Sequence, residues 1–539
     1  MSRKTRESII LQGSILAFAG IISKIIGFLY RIPMANIMGN DGNGLYSVAF
    51  GIYNVALTLS SYSMPLAVSK LMSARIAEGR YKDAHRLFTR AVIFATLTGL
   101  IAACAMFFES KGLAVVYRRP GLERPVRVLA PTVFVVAILG TFRGYFQGHK
   151  NMVPTALSQV IEQIVNAVVS VVAAYGFVHA FEGEKDTASY GAMGGTLGTL
   201  TGAYAALLIF VGLFVIRKKS ISAEMKKDDE ITEDNGLIYK CIIMTVIPVI
   251  ISQTIYQFGY TLDDLMYGNI MHARGVNDYE ATCMQGIFNT QYNQLINLPV
   301  AVATAMASAM LPSIVAHFTI GEMETVKRKI GLVFRINMMI SIPSFIGLTV
   351  LADPIMSVLF PGLKEYHNLA VALLSFGAIA IVFYSLSALS TSVLQGCDRM
   401  SIPVVHSGIS LAIHAVIVGC LLAFTNLGVY ALIIGNVTFP LVVCKLNLTT
   451  IRNLIGFMPD YHKVLTIPFV SAAIMGPAAY FTYHGLMHLF GSGAKIYMIL
   501  SLIGAIIAGA GVYVIMLILF KAFTKKELKM IPIVRKLVK

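Results

Sequence analysis

The chain has 539 residues, of which 56% are hydrophobic and 13% charged, and a formal net charge of +16; its mean hydropathy is +0.73. Such a composition excludes a soluble core with a polar coat and describes a polytopic membrane protein. The basic excess is no sign of nucleic acid, because no basic groove interleaved with aromatics accompanies it; it reads as a topology signal.

Apolar runs recur almost end to end, each long enough to cross about 30 Å of hydrocarbon as a helix. Lipid admits only helices and closed barrels, and the absence of two-residue alternation excludes the barrel. The first seven runs lie near 9–30, 45–68, 91–109, 128–146, 154–178, 191–216 and 241–262. Seven more lie near 285–312, 331–352, 369–393, 403–424, 428–446, 464–484 and 496–520, so an all-α protein of about fourteen transmembrane helices is expected. The leading MSRKTRES resembles the basic start of a signal peptide. The run behind it continues into ISKIIGFLYR without a small-residue cleavage site, which favours a retained first helix.

Most of the 43 Lys and Arg fall in alternate connections beginning with the N-terminus, which predicts both termini on the cytoplasmic side of the membrane. One connection expected outside breaks the rule: Lys111, Arg118, Arg119, Arg124 and Arg127 lie between the third and fourth runs. They could meet anionic headgroups, or simply occupy a loop that tolerates charge. The six cysteines lack Cys-x-x-Cys spacing, and there is no His-Glu-x-x-His, phosphate loop or Gly-x-Ser-x-Gly elbow. No disulfide framework, metal, cofactor or hydrolytic engine is therefore expected.

A short polar stretch occurs twice. Arg143, Gly144, Gln147, Gly148 and Met152 stand in RGYFQGHKNM, and Gln395, Gly396 and Met400 stand in LQGCDRM, with an offset of 248 between the Gln-Gly pairs. Gly79 and Arg86 in EGRYKDAHR match Gly321 and Arg328 in IGEMETVKR at an offset of 242. Both pairs are expected in inner loops, acting as hairpin hinges. An even number of helices separates the partners, so the repeats should run parallel, related by a pseudo-two-fold along the membrane normal. The expected organisation is a first six-helix lobe over 1–220, a cytoplasmic linker over 221–240, a second six-helix lobe over 241–450, and two added helices with a basic tail over 464–539.

Polar residues on single faces of apolar runs mark candidate sites. Gln253, Gln257, Tyr260 and Asp264 form one stripe; Gln285, Asn289, Asn293 and Asn297 step by four; Gln159, Glu162, Gln163 and Asn166 share a side of the fifth run; Lys24 and Arg31 lie seven apart in the first. A Lys or Asp near a helix centre costs roughly 2.5–3.5 kcal/mol on insertion scales, so these residues should meet protein or water. The amide stripes serve either as cavity lining or as glue between helices. Lys24 and Glu162 favour a cavity, with Glu162 or Asp264 able to hold a coupling ion, although Asp264 at a helix end could equally be solvated. GAMGGTLGTLTG at 191–202 reads as a close helix-packing stripe.

ISKIIGFLYRIPMANIMG near the start, RGYFQGHKNMVPTALSQVIEQ at 143–163 and YNQLINLPVAVATAMASAMLPSIVA at 292–316 resemble the polysaccharide-transporter branch of the MOP flippase superfamily. Within it the resemblance is to the stage V sporulation protein B and YtgP group, related to the MurJ lipid II flippases. It implies two six-helix lobes about a central cavity and export of undecaprenyl-diphosphate-linked sugars by alternating access, with membrane lipids and a coupling ion or the membrane potential as partners. Ser23, Lys24, Gly27 and Phe28 occupy the helix 1 pattern of that group, whose basic residue is implied to meet the substrate diphosphate, with Arg31 beside it. Here it is Lys, without the bidentate fork of Arg, and Asn166 stands where an Arg would be expected. A drug or cation antiporter of the same superfamily is the alternative, and a membrane enzyme of glycan assembly a third reading.

Overall fold

The computed structural model describes residues 3–226, 233–319, 321–491 and 494–522, and among them every regular element is helical. The basic tail from 523 on lies outside the described residues. Packing divides the chain into two compact units, Met1–Thr290 and Gln291–Lys539. This division falls later than the one expected from the repeats at 221–240, because the helix over 235–273 packs within the first unit.

The first unit contains α1 (Arg3–Ser60), α2 (Met64–Ala77), α3 (Tyr81–Phe108), α4 (Ser110–Val116), α5 (Glu123–Gly148), α6 (Val153–Ala180), α7 (Thr187–Ile216), α8 (Lys218–Met225), α9 (Asn235–Ala273) and α10 (Asp278–Gly286). The expected first two spans form one helical stretch broken at Gly39, whose φ of 73° and ψ of 179° suit a residue without a Cβ. The expected second span also stops early, at Ser60, and Pro65 opens α2 in the first turn, where a missing N–H costs nothing. Asp234 caps α9 by accepting from the Gly236 amide at 2.9 Å, and that bond holds its carboxyl below the usual range.

The glycine stripe does what its spacing predicts. A Cβ on Gly194 would lie 2.6 Å from the Ala173 carbonyl oxygen, and one on Gly202 would lie 2.6 Å from that of Glu162, so α7 seats directly on the backbone of α6.

The second unit contains α11 (Asn293–Thr319), α12 (Met323–Val350), α13 (Ala352–Leu359), α14 (His367–Gly377), α15 (Ala380–Gly396), α16 (Ser401–Phe424), α17 (Tyr430–Ile455), α18 (Ile467–Phe490) and α19 (Lys495–Leu519). Val326, Phe334, Met338, Leu389, Val393 and Ile451 join α12, α15 and α17 in one buried cluster. Every expected run is helical over most of its length, although 45–68 is divided between α1 and α2 and 369–393 between α14 and α15. Ten helices among the described residues are long and apolar enough to cross a membrane, or eleven if the bent pair Pro361–Gly377 and Ala380–Gly396 makes one span. The expected fourteen crossings are not established by that count.

The matched stretches share local backbone geometry, a turn that also occurs at Gly275. Gly79 at φ 80° and Gly321 at φ 78° each end a helix in the left-handed region. Gly79 N–H donates to Ile76 O (3.1 Å) and Arg80 N–H to Arg75 O (2.9 Å); Gly321 N–H donates to Phe318 O (3.1 Å) and Glu322 N–H to His317 O (3.0 Å). Both are the same Schellman turn. The second pair behaves alike: Lys150 at φ 59° and Asp398 at φ 60° occupy equivalent positions, with bonds to Gln147 O and Gln395 O. Arg143, Gly144, Gln147 and Gly148, expected in a loop hinge, belong to α5, and Gln395 and Gly396 end α15. The turns begin just beyond them. Gly144 and Gly148 are contact positions instead, since a Cβ on either would press on Val68 or Met72 of α2.

Candidate functional site

Two polar clusters in the first unit gather most of the charged candidates. At one end of α9, Asp264 is buried, and its Oδ1 accepts from the Gln285 side-chain amide and from Asn289 Nδ2 (2.9 Å). Gln285 Oε1 in turn accepts from Arg119 Nη2, while Asn289 also donates to Ser47 Oγ at 3.3 Å. The amide of Gln285 can face only one way, since its oxygen must meet the donor-only guanidinium and its nitrogen the carboxylate. A chain Arg119–Gln285–Asp264–Asn289–Ser47 results, closed on one side by Gly51, where a Cβ would lie 3.3 Å from Asp264 Oδ2. Burial presses the Arg119 pKa below its ordinary value, and the nearby Asp264 opposes that.

Asp264 is thus buried, and the solvated helix end that its position also allowed is not what forms. Three of the five basic residues over 111–127 turn to protein partners. Arg119 is buried, Arg124 pairs with Asp186 (2.8 Å) and lies over the Tyr190 ring, and Arg127 donates to Ser110 Oγ at 2.9 Å. Lys111 and Arg118 stay exposed.

The second cluster lies on α1, α5 and α6. Glu162 pairs with Arg143 of α5, Nη2 to Oε2 at 2.5 Å, with Tyr53 beside both. Gln163 faces Gly27 of α1. Lys24, one turn before Gly27, is exposed and makes no ion pair among the described residues. Arg31, one turn after Gly27, sits beside the phenols of Tyr30 and Tyr46, and its Nε is buried without a hydrogen-bond partner.

The remaining candidates separate. Asn166 is buried as packing glue, accepting from Ser170 Oγ at 2.9 Å. The four-step amide stripe divides: Gln285 and Asn289 turn to Asp264, Asn293 accepts from Asn436 Nδ2 (3.1 Å) in the second unit, and Asn297 is exposed. The cause is the π-helical turn Ile287–Tyr292, whose extra residue shifts the face that follows by roughly 100°. Gln159, Gln253 and Gln257 are half-buried, and the side chain of Tyr260 lies outside the described residues. Among the described residues no group of three His, Cys, Asp or Glu is placed to hold a metal ion.

With this geometry in view, the chain can be set beside known proteins. A family model described as polysaccharide biosynthesis protein matches residues 10–318, and a second, MatE, matches 290–420. The chain belongs to the polysaccharide biosynthesis protein family. It is 26% identical over 541 residues to stage V sporulation protein B of Bacillus subtilis (strain 168), covering 98% of both chains. It is 25% identical over 430 residues to lipid II flippase MurJ of the same organism, covering 76% of this chain and 77% of that one. Among solved structures, an inward closed conformation of lipid II flippase MurJ matches with a TM-score of 0.66 at 12% identity, covering 94% of this chain and 98% of that one. An inward-facing MATE multidrug resistance transporter matches with a TM-score of 0.64 at 12% identity, over 80% and 95%. This polysaccharide biosynthesis protein therefore has the fold of the MOP superfamily, in a multi-pass membrane chain.

A third cluster was not anticipated. Glu233 accepts from Arg75 (2.9 Å from Nε) and from Arg80 (2.5 Å), Arg86 donates to the Glu233 carbonyl at 2.8 Å, and Arg86 and Arg90 both reach Asn235 Oδ1 at 3.0 Å. Asp83 and Glu233 hold Arg80 above the ordinary arginine range. The basic residues read as a topology signal thus also clamp the start of α9. Glu233→Ala is expected to destabilise this family member by about 1–3 kcal/mol, because Arg75 is buried and loses its counter-charge. Thermal unfolding in detergent reads it; an unchanged midpoint would show the clamp to be fully screened by solvent.

Proposed function

We propose that this transporter of polysaccharide precursors moves an undecaprenyl-diphosphate-linked sugar, lipid II or a related glycan, across the bacterial cytoplasmic membrane by alternating access. The observation that carries this reading is Lys24: a cation within an apolar helix, exposed and without an ion-pair partner among the described residues, on the helical face that contains Gly27 and leads to Arg31. An ammonium in that position is costly against lipid and becomes favourable when an anion meets it. A diphosphate supplies that anion, Lys24 and Arg31 receive it, and amides such as Gln253 and Gln257 bond the sugars. The relation to lipid II flippase MurJ of Bacillus subtilis supports the substrate class, and the fold match to a MurJ structure supports the architecture it needs.

The driving term is the membrane potential, worth about 2.3 kcal/mol per charge per 100 mV, or an ion coupled at Asp264 or Glu162. In a strain depleted of other flippases, loss of this protein should raise inner-leaflet lipid II, and the wild-type gene should reverse the rise. Lys24→Ala should fail to reverse it while reaching the membrane at wild-type levels. Full complementation by Lys24→Ala would remove the cationic site from the mechanism.

The MatE match over 290–420 and the MATE structures favour a second reading, an antiporter of small cations or drugs. It requires acceptor carboxylates for its cargo, whereas Lys24 and Arg31 are cationic. Raised drug resistance upon expression, without any change in lipid II distribution, would select it.

A further inference from the structure

The candidate anion site has more cationic charge available than α1 alone supplies. Arg143 of α5 reaches Glu162 of α6 at 2.5 Å, and the two side chains are 15% and 21% exposed, neither sealed in the core nor freely solvated. The pairing is single-pronged: Nη2 donates to one carboxylate oxygen, and Arg143 Nε is buried with no hydrogen-bond partner. Arg–carboxylate pairs frequently meet through two parallel bonds, and here one of the two is left unmade. Gln159 Oε1, one turn before Glu162 on α6, is also buried without a partner. Gln163, next in sequence after Glu162, packs on Gly27, which sets the part of α1 bearing Lys24 against the part of α6 bearing Glu162.

We propose that Arg143 is a further ligand for the substrate diphosphate and that Glu162 holds its place in the empty protein; the idea rests on the diphosphate reading given above. A phosphate group presents more acceptor oxygens than a carboxylate and engages two edges of a guanidinium at once. It therefore displaces Glu162 from Nη2 and gives the unused Nε an acceptor. Arg143 then joins Lys24 and Arg31 as the third cation of the site, and Glu162 sets how tightly the anion is held, because it competes for the same donor.

Competition fixes the sign of the test. Undecaprenyl diphosphate is titrated into the purified full-length protein in detergent and followed by native mass spectrometry, with melting temperature recorded for each variant. Glu162→Gln keeps the shape of the side chain and removes its charge, so binding should tighten by about five- to tenfold. Arg143→Gln should weaken binding by about tenfold or more, and the double variant should match Arg143→Gln alone, since Glu162 acts only through Arg143. Where Arg143→Gln does not fold, Arg143→Lys replaces it, and its lost second prong should still weaken binding. If the wild type binds and Lys24→Ala weakens it, but Glu162→Gln fails to tighten binding, the pair is a structural one and this inference falls while the diphosphate reading stands. If the wild type does not bind the diphosphate at all, both fall.

Discussion

Arg119→Ala is expected to destabilise the first unit by about 3–5 kcal/mol, the range found when one member of a buried charged set is removed. Arg119 is 1% exposed, and its Nη2 is the donor that Gln285 Oε1 accepts. Without it the Gln285 oxygen is left buried and unpaired, and Asp264 loses the nearest positive charge. The loss is read by thermal unfolding in detergent with a thiol-reactive dye, in a background where the exposed Cys104 and Cys420 and the half-buried Cys241 are replaced, since Cys283 of the first unit is buried and becomes reactive only on opening. Adding Asp264→Asn to Arg119→Ala should restore part of the loss, because the buried network then carries no unbalanced charge. A midpoint equal to wild type would show that Arg119 is solvated and that the chain to Asp264 carries no energy.

Gly198→Ala should cost about 1–3 kcal/mol or more. The added Cβ would lie 2.6 Å from the Ser170 amide nitrogen and overlap Ser170 Oγ and the Asn166 carbonyl, and two of those three atoms belong to backbone that cannot rotate away. Helices α6 and α7 must separate to admit it. Gly212→Ala on the same helix is the control: nothing lies within 4 Å of its Cβ, so the gain in helix propensity of up to about 1 kcal/mol should leave the protein unchanged or slightly more stable. Equal effects at the two positions would deny that the stripe is a packing seam.

The helices were legible because lipid imposes a simple rule, and the apolar runs are helical, though two of them are divided between neighbouring helices. So was the glycine stripe, whose period states its own purpose. What escaped the sequence depends on contacts between distant positions. Arg119 and Gln285 lie on segments that nothing in their local spacing connects, so a buried arginine looked like one more loop charge. Arg143 and Glu162 are 19 positions apart across a turn, and Arg143 looked like a hinge because the apolar run ended beside it. The π turn at Ile287–Tyr292 carries no mark in composition, yet it decides which amides of a regular four-step stripe reach Asp264. A charge inside an apolar run was the signal that singled out Lys24 and Glu162, and the polar stripes pointed to Gln285, Asn289 and Asp264, which do meet.

The two matching turns differ in the charge around them. At the 248 offset, Thr391 and Ser410 stand where Arg143 and Glu162 stand in the first copy, and Lys150 is answered by Asp398 in the same left-handed position. Thr391 Oγ1 accepts from Asn447 Nδ2 and Ser410 Oγ donates to the Phe439 carbonyl, so the second copy spends on internal bonds the positions where the first keeps an ion pair. The backbone turn is repeated, and the charge is not. The two stretches thus divide their roles: the first keeps an ion pair for which an incoming anion can compete, and the second has only internal hydrogen bonds to offer.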